Sequence, residues 1–230
     1  MTGIIGHARI TGPVYDAGPV LDLATRAAER AIDSVHDRFD IDYRPYAVWF
    51  VHDAVLTPGE TVAGRIHSRL GLAPFAGAYD MCGSARSAVG ALKIASTSTM
   101  LAVLVEGDTA SAFCFGKGDA LADEVAGANI TDVDDPTGLT SVAEALAGAL
   151  GSAGIATDDL ALALVSGADP AALADMTGIE SGRVRTGAGT GRLLSDALGD
   201  AAPGSIIAQI VGCDGVDVRL WRLGGGAAPA

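Results

Sequence analysis

The sequence predicts an α/β protein built as a duplicated fold, with five layers in the order α/β/α/β/α. Three observations predict it. A series of strand-like and helix-like segments runs through residues 1–118 and is replayed in the same order through 139–223. Both runs close on one device: "LVEGDTASAFCF" and "IVGCDGVDVRLW" each read as an apolar strand, a Gly/Asp turn and an alternating strand. One helix in each run, 84–96 and 189–199, is rich in alanine and glycine. Helices covered on both sides need such small residues, because backbones must approach closely. These two are therefore expected as the central layer, shared between two sheets.

The first run begins with a short strand, "GIIGHARI" (3–10). "PVLDLATRAAERAIDSV" (19–35) has helical periodicity through Leu21, Ala24, Ala28 and Ile32. "YAVWFV" (46–51) is an uninterrupted apolar run of strand length, the pattern of a strand buried on both faces. "GETVAGRIHSRLG" (59–71) is a helix stopped by glycine, and "SARSAVGALKIAS" (84–96) is the small-residue helix. "MLAVLVEGDTASAFCFG" (100–116) is a hairpin about Gly-Asp.

The second run has a helix at 139–155, a strand at 159–169 and a helix opened by Pro170 at its first turn. A turn and helix at 185–200 follow, then two strands within 203–223. Residues 119–138 are acidic and turn-rich and are expected as the joint between halves. The tail 224–230 is expected to be mobile.

Composition narrows the function. With 230 residues, 49% of them hydrophobic, the chain can bury a sizeable core. The net charge of −13 argues against nucleic acid and anionic membranes as partners, because both select cationic faces. Lys93 and Lys117 are the only lysines, and "GKGDAL" is not a phosphate-binding loop. The three cysteines, Cys82, Cys114 and Cys213, form no closely spaced pair, so neither a disulfide framework nor a zinc site is expected. The acidic run 131–138 lacks a calcium-loop pattern. "GAGTGR" (187–192) ends in Arg192 where a dinucleotide loop needs glycine, and reads as the turn before a buried helix. No basic leader with an apolar core opens the sequence, and no apolar run approaches a membrane span, so a cytoplasmic protein is expected.

Four stretches, in order, carry a resemblance. They are "YAVWFVHDAVLTPGETVAGRIHSRLGL", "GAYDMCGSARSAVGAL", "IATDDLALALVSGADPAALADMTGI" and "RTGAGTGRLLSDALGDAAPGSIIAQIVGCDGVDVRLW". Together they resemble the thiolase superfamily, and within it the ketoacyl-ACP synthase III branch. The resemblance implies the thiolase-like form of the duplicated five-layered fold. It also implies an acyl thioester of CoA or a carrier protein as ligand, and no other cofactor. Family members carry a longer excursion between the two strands that end the first half. Its near-absence here implies a more open acyl pocket, or none.

The family's chemistry needs a cysteine that accepts the acyl group, and a histidine and an asparagine that polarise the thioester. Carried over position by position, the cysteine falls at Ala85, the histidine at Ser166 and the asparagine at Arg185. Alanine cannot attack, serine cannot replace an imidazole as a base at neutral pH, and arginine puts a fixed cation where a neutral amide belongs. A slip of register would offer Cys82 or Ser84 as the nucleophile. No histidine follows His67, so His52, with Asp53 and Cys82, is the one relay available; a strand-end or solvent-facing His52 is the plain alternative. Arg86 and Arg185 are expected to pair with Asp80 or Asp169; the alternative is that they converge near the old active site and bind a carboxylate or phosphate. The resemblance further implies a homo- or heterodimer with a thiolase-fold protein, formed through a strand placed near 100–105, and contact with an acyl carrier protein. With all three catalytic positions exchanged, the expected role is that of a silent subunit beside an active ketosynthase, in the manner of a chain-length factor.

Overall fold

The computed structural model describes residues 2–12, 17–52, 61–83, 85–131, 139–166, 169–212 and 215–224. Ser84, Asp53, Cys213, most of the acidic run and nearly all of the tail lie outside them. Two compact units result, one reaching Leu121 and the next running from Ala122 to Gly225.

The first unit runs β1 (Gly3–Thr11), α1 (Ala17–Phe39), β2 (Ala47–His52), α2 (Val62–Arg69), β3 (Gly77–Cys82), α3 (Ala85–Ala95), β4 (Leu101–Glu106) and β5 (Thr109–Gly116). Its sheet is ordered β3-β2-β4-β5-β1. β2 is parallel to both β3 and β4, whereas β5 is antiparallel to β4 and β1. The parallel strands are joined by helices and the antiparallel pair by a turn, as geometry requires. That turn is two residues, Gly107 and Asp108, and Gly107 takes the left-handed φ of 59° that such a hairpin needs.

Alternation along the strands sorts the core. Val48, Phe50, Val103, Val105, Ala110, Ala112 and Cys114 pack against Leu21, Ala24, Ala28, Ala31 and Val35 of α1 and Val62, Ala63 and Ile66 of α2. Neighbouring residues point the other way, to the face carrying α3, where the Met81 methyl lies against Gly90. α2 and α3 thus cover opposite faces of β3.

The second unit repeats the order with β6 (Ala122–Ile130), α4 (Leu139–Ala153), β7 (Leu160–Ser166), α5 (Pro170–Thr177), β8 (Val184–Thr186), α6 (Thr190–Asp200), β9 (Ile206–Gly212) and β10 (Val216–Leu223). Its sheet order, β8-β7-β9-β10-β6, is that of the first unit strand for strand. Val142, Leu146 and Leu150 of α4 and Leu173 of α5 pack on Ala163, Val165, Ala208, Ile210, Val218 and Leu220.

Two expectations change. The stretch 119–138, read as a joint, contains β6, and the second unit starts at Ala122. β6 is acidic and poor in β-branched residues; β10 supplies its ladder partner and, through Arg219, a counter-charge. The Arg219 guanidinium is buried, with Nη1 donating to Glu124 Oε1 at 2.8 Å and Nη2 to Asp217 Oδ1 at 3.2 Å. A Cβ on Gly127 would stand 2.6 Å from Nη1, so glycine there leaves the guanidinium its room.

The second change concerns the strand expected to offer an open edge near 100–105. That strand is β4, hydrogen-bonded on both sides by β2 and β5. The edge belongs to β3, which pairs with β2 alone among the described residues.

Candidate functional site

β3 ends at Cys82 and α3 begins at Ala85, with Gly83 the described residue between them. Gly83 has φ 144°, in the region that favours glycine, and a Cβ there would come within 2.6 Å of Ser87 Oγ. α3 opens directly at Ala85, which is half-buried. The place where a nucleophile would profit from free helix amides therefore holds a methyl group. Ser84, the neighbouring alternative, lies outside the described residues.

Ser166 ends β7 and is almost wholly buried. Its Oγ accepts from Thr190 Oγ1 at 3.4 Å; Thr190 is the first residue of α6. Gln209 Nε2 donates to the Thr190 carbonyl at 3.4 Å, and Trp221 Nε1 donates to Gln209 Oε1 at 3.1 Å. Ser166, the position to which the resemblance carries the histidine, thus joins a buried run of hydroxyl, amide and indole groups. Nothing in that run exchanges protons with a substrate near neutral pH.

Arg185 lies on β8 opposite Leu164, and Nη1 donates to Asp200 Oδ2 at 2.9 Å. Asp200 ends α6 and Thr190 begins it, about 15 Å apart along the axis. The guanidinium therefore sits at the far end of the helix from Ser166, and Arg185 is not brought to that position. The residues of "RTGAG" nearest α6 are Gly187, Ala188 and Gly189, none of which has a side-chain amide.

Of the two arginines, Arg185 pairs with Asp200 rather than with Asp80 or Asp169. Asp80 Oδ1 accepts from the Ala63 amide at 2.8 Å, capping α2, whose own Thr61 makes no side-chain cap. Asp169 caps α5 through the Ala171 amide at 2.9 Å.

His52 and Cys82 are brought together. They are the last residues of adjacent parallel strands and are paired in register, so their side chains leave the same face. His52 is buried, its ring 6.1 Å from that of Phe50 and nearly parallel to it, while Cys82 is exposed. The Gly83 amide donates to the His52 carbonyl at 3.2 Å and ties the two strand ends. The connections from β2 and β3 lead to opposite faces of the sheet, so these ends form a topological switch point, where open α/β sheets bind ligands. Asp53, the third member of the expected relay, lies outside the described residues. Cys114 is wholly buried, and burial pushes its thiol pKa up, so it is chemically inert. Among the described residues no group of three or more potential ligands could hold a metal, and no helix is long and apolar enough to cross a membrane.

No family model and no curated protein sequence matches this chain. Solved structures do. The chain is similar to 3-oxoacyl-[acyl-carrier-protein] synthase III from Aquifex aeolicus, with TM-score 0.79, 15% identity, and 96% of this chain and 100% of that one covered. It is similar to the FabH synthase III of Pseudomonas aeruginosa, at TM-score 0.77 and 17% identity over 99% of each chain. A variant of OleA from Xanthomonas campestris with bound lauric acid and lauroyl-CoA aligns at TM-score 0.77 and 14% identity, over 96% of this chain and 98% of that one. The resemblance in the four sequence stretches therefore holds at the level of architecture: the chain has the thiolase-like α/β fold of the ketoacyl synthase III proteins.

Proposed function

We propose that this chain is a non-catalytic thiolase-fold subunit that pairs with an active ketosynthase or acyltransferase in fatty-acid or polyketide-type biosynthesis. One pattern supports the reading. Carried over from the resemblance, the nucleophile's place falls at Ala85, which opens α3, the base's place at Ser166, which is buried against Thr190, and the stretch before α6 has no side-chain amide. Carbon–carbon bond formation needs a covalently held donor, and a methyl group cannot hold one.

The pairing edge is β3. Its six residues are unpaired on one side among the described residues, and Tyr79, half exposed, stacks on Trp49 at 4.5 Å. Tyr46 and Phe75, strongly exposed, flank the start of β2 and β3. An open strand edge rimmed by aromatics is a surface proteins cover. The partner is a second thiolase-fold chain, and the ligand it shares is a CoA or acyl-carrier thioester.

Co-expression with the proteins encoded beside it, followed by co-purification, tests this. A stoichiometric complex with a thiolase-fold enzyme is expected, and Tyr79→Asp should dissolve it. A chain that stays monomeric through this experiment overturns the proposal.

A specific observation favours a second reading, in which Cys82 is an acyl acceptor and His52 takes its proton. That observation is the in-register pair at the carboxyl ends of β2 and β3. The Cys82 sulfur would attack the thioester carbonyl and release CoA thiol. Intact-mass measurement after exposure to acyl-CoA separates the two. An acyl adduct that disappears in Cys82→Ala and persists in Cys114→Ala supports the second reading. An adduct lost only in Ser84→Ala would move the acceptor two positions along the sequence, and no adduct leaves the silent subunit standing.

A further inference from the structure

We draw no further inference here: the strongest candidate, the Cys82–His52 pair at the carboxyl ends of β3 and β2, belongs to the site already described, as the exposed aromatic edge of Tyr46, Phe75 and Tyr79 belongs to the pairing surface already proposed.

Discussion

Replacing Arg219 with methionine tests how the second unit holds its first strand. The arginine side chain is 7% exposed and bridges Glu124, at 18%, and Asp217, at 12%. Methionine fills much of the aliphatic volume but returns neither hydrogen bond. Each charge-assisted bond contributes about 1.5–3 kcal/mol, and removing one partner of a buried ion pair costs about 3–5 kcal/mol, so a loss in that range is expected. Against a typical total of about 5–15 kcal/mol, this is a large fraction. The assay is urea unfolding of wild type, Arg219→Met, Glu124→Gln and the double variant. The double variant should lose less than the sum of the singles, because each single change already breaks the Arg219–Glu124 pair. Gly127→Ala supplies an internal control: its Cβ meets Nη1 and should cost less in the Arg219→Met background. A loss below about 1 kcal/mol for Arg219→Met, or strict additivity in the double variant, would refute the reasoning.

Two further outcomes follow from single positions. His7 stacks on Phe113 at 6.5 Å, and burial lowers its pKa below the ordinary value of about 6.5. Below that value the unfolded chain binds a proton that the folded one resists, so stability is full above about pH 6.5 and falls as the pH drops through and below it; urea midpoints between pH 7.5 and 5.5 should show a slope that His7→Phe flattens. Gly83→Ala should cost about 1–3 kcal/mol through its positive φ and the Ser87 contact, read as a lower thermal midpoint, whereas the same change at Gly148, which no neighbour crowds, should cost nothing or stabilise.

Periodicity made most of the fold legible. α1 shows it through Leu21, Ala24 and Ala28, and the β4–β5 hairpin shows it through an apolar run and a Gly-Asp turn. The duplication was equally plain, because corresponding elements recur in the same order. β6 escaped for a physical reason: "ADEVAGANI" has little intrinsic strand preference and is stabilised by a partner nearly a hundred residues away. The open edge was misplaced because strand order in a parallel sheet depends on which way each crossover leads, not on the strand's own residues.

The candidate site divides the same way. Ala85 at the head of α3 could be read from a local strand–glycine–helix pattern. The direction of Arg185 could not, since it is decided by Asp200 at the other end of a helix. Nor could the pairing of His52 with Cys82, which depends on the register of two strands thirty positions apart.

The two tryptophans of the chain fall one to a unit: Trp221, wholly buried at the end of the polar chain from Ser166, and Trp49, half-buried beside the open strand. Each unit therefore carries its own intrinsic fluorophore. Emission from a Trp49→Phe protein reports on the interior around Gln209, and emission from a Trp221→Phe protein reports on whatever comes to lie over Tyr79.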